Sequence, residues 1–233
     1  MLSFPHDLRY RLAYDAGLVT GVLAIFTKMI FASLVERARE FGTVGKARSG
    51  AVCFIQRFDS ALRLNLHIHS LAIDGVYATD DDDKPQFQVL PAPDDEEIAR
   101  LTALLAQRIR AFLHKRGLGA DSNPEESDPL ARDQPWLAGL YAASVRSRVA
   151  NSGRRVTHDG DQIDPESMEA FSSPRCASVD GFSLHANVAV SAGDRARLER
   201  LAQYCARGPV SMERLETLAD GRLLYRFKRA WRA

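Results

Sequence analysis

Cysteine is scarce in this chain. Cys53, Cys176 and Cys205 are the only three, scattered and in no CxxC pair. That argues against a disulfide scaffold and against a zinc ribbon within these residues, and it fits a reducing cytoplasm. An excess of either charge is also lacking: 31 Lys and Arg stand against 30 Asp and Glu, a formal net charge of +1. The whole-chain balance therefore points to no particular partner. No signal peptide is evident, and long apolar runs are missing but for one. That run, Ala16 to Val35, is about long enough to span a bilayer. It contains Thr20, Thr27 and Lys28, however, and leads straight into Glu36-Arg37-Ala38-Arg39-Glu40. We read it as a buried helix rather than a membrane span. No internal repeat is visible.

What is present suits a folded domain. The 233 residues are 45% apolar and 26% charged, ordinary values for a soluble protein of one large or two small domains. Charge is distributed unevenly. Residues 1–69 carry nine Lys/Arg against five Asp/Glu, and residues 194–233 carry ten against five. The middle holds the acidic clusters Asp80 to Asp83, Asp94 to Glu97, and Glu125, Glu126 and Asp128. Basic ends around an acidic centre are compatible with a local nucleic-acid surface; ordinary solvated faces are the plainer reading. The run Asp80 to Asp83 reads as a solvated turn, since consecutive carboxylates cannot all converge on one ion.

The pattern alternates helices and strands. Residues 8–40 read as helical with a break at Gly17 or Gly21. Ala51 to Phe58 and Leu62 to Ile73 read as a hairpin of two strands, followed by a short strand at Gln86 to Leu90. Asp95 to Lys115 is an amphipathic helix with Ile98, Leu101, Leu105, Ile109 and Phe112 at helical spacing and Gly117 as its stop. A mobile acidic loop is expected at about 120–134, then a helix over Pro135 to Ala150 and an irregular stretch from Asn151 to Ser178. Phe182 to Val190 reads as a strand. Asp194 caps a helix running to about Arg207, stopped by Gly208-Pro209. Ser211 to Leu218 reads as a short helix and Leu223 to Lys228 as a strand.

The most informative motif is His67-Ile68-His69. Alternation along the strand puts Leu62, Leu64, Leu66, Ile68 and Ser70 on one face and Arg63, Asn65, His67, His69 and Leu71 on the other. Two imidazoles side by side on a polar strand face suit one metal ion; two satisfied histidines on a half-exposed strand are the competing reading. The helix near residue 200 adds a second motif. Its apolar stripe is Leu198, Leu201, Ala202 and Cys205, with Tyr204 at the edge, Arg200 four residues before it and Arg207 three after. A tyrosine flanked by guanidiniums is well placed to meet a phosphodiester. A tyrosine at a core margin beside solvated arginines accounts for the same pattern.

Read together, these segments resemble a known family. They are Ser3-Phe4-Pro5-His6-Asp7-Leu8-Arg9; Gln56-Arg57-Phe58 with Leu64-Asn65-Leu66-His67-Ile68-His69 and Asp74-Gly75-Val76-Tyr77; and Leu184-His185-Ala186 with Arg197-Leu198-Glu199-Arg200-Leu201-Ala202-Gln203-Tyr204 and Arg207-Gly208-Pro209. The chain resembles, over nearly its whole length, the rolling-circle insertion-sequence transposases of the HUH endonuclease superfamily. The resemblance implies an α+β fold: a palm-like antiparallel sheet flanked by helices. Residues 1–50 are then an N-terminal helical segment packing on a nuclease core at 51–233.

The resemblance also implies the chemistry. His67 and His69 hold a divalent ion, Mg²⁺ or Mn²⁺, and Tyr204 attacks DNA to give a 5′-phosphotyrosine and a free 3′-hydroxyl. Gln56 is the first choice for a third ligand. A tight turn at 59–61 sets it opposite about Leu64, so bringing it to His67 needs a bulge. His185 is the second choice, with shaping the sheet or touching DNA as its equal alternative. Arg57, Arg63, Arg200 and Arg207 are the expected DNA contacts. The expected partner is single-stranded DNA at the ends of a mobile element and at target sites, with no membrane, in a bacterial-type cytoplasm near the nucleoid.

Three departures from the family are visible. Many relatives carry two tyrosines one helical turn apart, and here Arg200 stands where the other would be. The relatives' N-terminal zinc-binding domain has no counterpart before Ser3, and the C-terminus stops early. The expectation is a single-tyrosine, shortened copy. The alternatives are an inactive DNA-binding remnant, a replication initiator or relaxase of the same superfamily, and a cupin-like metal enzyme. The last lacks its downstream Glu and His, for which Asp74 and His185 are poor substitutes, and has too much helix.

Overall fold

A computed structural model describes residues 1–43, 45–59, 62–79, 84–118, 129–145, 157–158, 174–226 and 231–232. The acidic run 80–83 and most of the loop expected at 120–134 lie outside the described residues. The part of that loop that is described, Pro129–Asp133, is a short helix.

Three helices build one side of the molecule. Helix α1 spans His6–Tyr14 and α2 spans Ala16–Glu40. The break between them falls at Asp15, ahead of both expected glycines. Its carboxylate accepts the Leu18 N–H at 2.9 Å, so the residue acts as an N-cap and starts a new helix. Gly21 stays helical and leaves room for a neighbour: a Cβ there would lie 2.2 Å from the Phe112 ring. That ring belongs to α3, Asp95–Lys115, whose Asp94 cap accepts the Glu97 N–H. Acids in the first turn of α3 and His114 and Lys115 in its last turn both oppose the helix dipole. By length and composition α2 could cross a membrane. In the fold its Leu18, Val19, Val22 and Phe26 are buried in the main core.

The helices cover one face of a five-stranded antiparallel sheet. Its strands are β1 (Leu2–Ser3), β3 (Ala51–Phe58), β4 (Leu64–Ala72), β8 (Cys176–Val179) and β9 (Phe182–His185), in the order β3-β4-β1-β9-β8. The chain is thus an α+β fold. The short strand β1 lies inside the sheet: Leu2 pairs with Ile68 and Leu184, and Ser3 with His67 and Ser183. Alternation then sorts the side chains. Leu2, Leu66, Ile68, Phe182 and Leu184 join Leu8, Leu12, Val22, Phe26, Leu105 and Ile109 in the core. Each such side chain contributes about 1.5–3 kcal/mol when fully buried. The residues between them face away from this helical layer.

A second sheet, in the order β2 (Ala47–Arg48), β5 (Gly75–Thr79), β6 (Pro85–Val89), packs Val76 against Leu34 and Ala38 of α2. The remaining described elements are α4 (Pro129–Asp133), α5 (Pro135–Val145), β7 (Thr157–His158), α6 (Arg195–Ala206), β10 (Leu215–Thr217), β11 (Leu223–Tyr225) and β12 (Trp231–Arg232).

The structure differs from the sequence reading in several places. Strand β8 lies within the stretch read as irregular. It is joined to β9 by Asp180-Gly181, both at positive φ (51° and 79°), the two-residue hairpin turn that this pair favours. Strand β9 ends at His185, short of Val190. Ser211 to Leu218 is not a helix: one 3₁₀ turn at Met212–Arg214 leads into β10, which pairs with β11. Leu215 to Thr217 satisfy their backbone groups by cross-strand bonds to β11 rather than within a helix.

Candidate metal and nucleophile site

The site lies on the sheet face away from α1, α2 and α3. The expected bulge is present. Gln56 pairs directly with His67 while Phe58 pairs with Leu64, so the register shifts between them. The turn that sets this register is closed by Arg63, whose backbone N–H and Nε–H both donate to the Asp59 carboxylate at 3.0 and 2.6 Å. Leu62 adopts a left-handed φ of 58° in the same turn. Arg63 is thereby engaged in shaping the hairpin. Arg57 donates from Nε to the Ala13 carbonyl on α1 at 3.1 Å, which turns it toward the helical layer. The site therefore gathers neither arginine.

Helix α6 approaches from the other side. Asp194 caps its start by accepting the Arg197 N–H at 3.0 Å. Among its described residues only Cys205 is buried. The Tyr204 ring stands edge-on to His69, centroids 5.8 Å apart at 90°, and the His69 ring stands 4.9 Å from His67. The Arg207 guanidinium lies over the Tyr204 ring at 4.3 Å. Arg200 is exposed on the same helix, one turn before Tyr204. Two strands and one helix, distant in sequence, thus bring Gln56, His67, His69, Tyr204 and Arg207 together.

The hydrogen bonds orient these groups. The Gln56 amide nitrogen donates to the carbonyls of Cys205 at 2.9 Å and Tyr204 at 3.4 Å. Carbonyls only accept, so this end of the amide is its NH₂ and the oxygen points to His67. His67 Nδ1 lies 2.6 Å from the Asn65 carbonyl, which calls for a proton on Nδ1. Its Nε2 then presents a lone pair to Gln56 Oε1 at 3.1 Å. Two acceptors facing each other at that distance match neighbouring ligand atoms around a small cation, since metal–oxygen bonds of about 2.1 Å at right angles put ligands about 3.0 Å apart. His69 Nε2 is buried with no hydrogen-bond partner. Burial, then the neighbouring His67, the Met1 amino group and Arg207, push His69 down to about 3. It is therefore neutral near pH 7, the form that ligates a metal.

The donor set fits a divalent ion held by two imidazoles and one amide oxygen. Among the described residues no three His, Cys, Asp or Glu side chains converge. His185 stands apart from the pair, because β1 runs between its strand and that of the histidines. Two strand spacings amount to about 10 Å. Its cross-strand neighbour is Cys176. Sequence reasoning did not foresee the clip from Gln56 to α6 or the Asn65 carbonyl behind His67. It also missed β1; the only signal was polar Ser3 between Leu2 and Phe4, both fully buried.

Comparison with the curated proteins and with the solved structures gives no match. A family model described as "Putative transposase" matches residues 50–232. The matched span contains Gln56, both histidines, Tyr204 and Arg207, and it takes in most of the sequence: the chain belongs to this transposase family.

Proposed function

We propose that the chain cuts and rejoins single-stranded DNA by tyrosine transfer in rolling-circle transposition, in the manner of the HUH endonucleases. One observation carries the reading: Tyr204, His69 and His67 form a contiguous row of rings on one sheet face, with Arg207 against the tyrosine. His67, His69 and Gln56 would hold the ion. When bound, Mg²⁺ or Mn²⁺ withdraws charge from the scissile phosphate and orients it. The Tyr204 oxygen attacks phosphorus as the P–O3′ bond breaks; the phenol proton is lost to solvent, and the leaving oxygen takes up a proton as a 3′-hydroxyl. The 5′-phosphotyrosine keeps the energy of the phosphodiester, so a 3′-hydroxyl can later displace the tyrosine without ATP. Arg207 places positive charge where the phosphate and the developing negative charge need it.

The test is a labelled single-stranded DNA from an element end, incubated with protein and Mn²⁺ and run on a denaturing gel. A covalent adduct is expected with the wild type and none with Tyr204→Phe. Replacing His67 and His69 together by Ala slows adduct formation by roughly a hundredfold or more. An adduct that survives Tyr204→Phe, or that ignores loss of both histidines, overturns the mechanism. DNA binding without any adduct identifies a non-catalytic remnant.

A further inference from the structure

One side chain touches both halves of this site. Gln56 Oε1 faces His67 Nε2 at 3.1 Å, and the same amide donates from Nε2 to Cys205 O at 2.9 Å and Tyr204 O at 3.4 Å. Those carbonyls lie in the last turn of α6, where four C=O groups have no partner within the helix. Among its described residues the first six of α6 are exposed, Cys205 is the buried side chain, and the Tyr204 ring touches His69. An element with so few anchors opens at low cost in free energy.

We propose that Gln56 is a positioning residue that couples ion binding to docking of the nucleophile helix. The inference rests on the reading of His67 and His69 as ligands and Tyr204 as nucleophile. An ion at the amide oxygen draws electron density through the conjugated O–C–N unit and leaves the NH₂ a stronger donor. The bonds to the Tyr204 and Cys205 carbonyls tighten, and α6 is held against the histidine strand. Linkage makes the effect reciprocal: a docked α6 holds the amide in the orientation that the ion requires. The tyrosine is thus presented when the ion is in place and released more readily when it is not.

The experiment is amide hydrogen exchange of the full chain over residues 195–206, with and without saturating Mn²⁺, alongside calorimetric Mn²⁺ titration. In the wild type Mn²⁺ slows exchange in the last turn of α6 by about tenfold. Gln56→Glu keeps an oxygen for the ion and loses the donor, so it binds Mn²⁺ at least as tightly while the slowing falls below about twofold. Wild-type protein that binds Mn²⁺ with unchanged exchange in α6 overturns the coupling and leaves the metal reading standing. Wild-type protein that binds no Mn²⁺ overturns both. A folded Gln56→Glu chain that keeps the full slowing also overturns the coupling, and the wild-type comparison decides it if that variant does not fold.

Discussion

His69 is held neutral chiefly by burial, and that has a measurable cost in acid. Free of the fold its imidazole titrates near 6.5, and in the fold near 3. Between those values the unfolded chain binds a proton that the folded chain refuses. Stability from this group is complete above about pH 6.5 and falls as pH is lowered toward 3. Urea midpoints measured across that range should decline with acid, and His69→Gln should flatten part of the decline. At this scale the residues that the fold gathers on one sheet face were legible from local pattern: period two for His67 and His69, helical spacing for Tyr204. The bonds of Gln56 to α6 were not, because its partners there are nearly 150 positions away. Of the arginines expected to contact DNA, Arg57 bonds to α1 and Arg63 closes the hairpin turn, partners that local pattern does not show.

Among the elements, the β8–β9 hairpin shows why a turn residue matters. Gly181 has a φ of 79°, and a Cβ there would lie 2.7 Å from Pro5 Cβ. Gly193 has a similar φ of 86° with nothing within 4 Å. Gly181→Ala should therefore cost about 2–3 kcal/mol and Gly193→Ala about 1 kcal/mol, read from equilibrium urea unfolding. Equal losses would show that Pro5 yields freely. The Asp180-Gly181 pair is a strong hairpin signal in the sequence, but its first strand is only Cys176–Val179 and follows a long polar stretch. Helices were more legible. In α3, cap, stripe and stop agree with one another, whereas the segment at 211–218 was decided by pairing with β11, which local period cannot reveal.

For the whole molecule, the decisive strand is the shortest. The family match begins at residue 50, yet the sheet that carries the histidines is completed by Leu2–Ser3. Without β1, strands β4 and β9 lose the neighbour that joins them. Leu2→Ala should cost about 2–4 kcal/mol, since Leu2 is fully buried. Residues 51–233 produced alone should show no cooperative thermal transition by circular dichroism; a sharp transition with Mn²⁺ binding would mean that the two halves of the sheet close without β1. The α+β class was legible from the alternation of helical and strand periods. The strand order was not, because two residues are too few to show a period.

The placement of β1 also sets a clock. Leu2 pairs on one side with Ile68 and on the other with Leu184. During synthesis at about 5–20 residues per second, the second neighbour emerges roughly ten to forty seconds after Leu2 itself. Through that interval β4 can already close on β3 and β1, while the far edge of β1 stays open, and α6, which follows β9 in the chain, does not yet exist. The ends of the sheet meet before α6 brings Tyr204 to the histidine face, so a nascent chain carries an unpaired strand edge before its row of rings is complete.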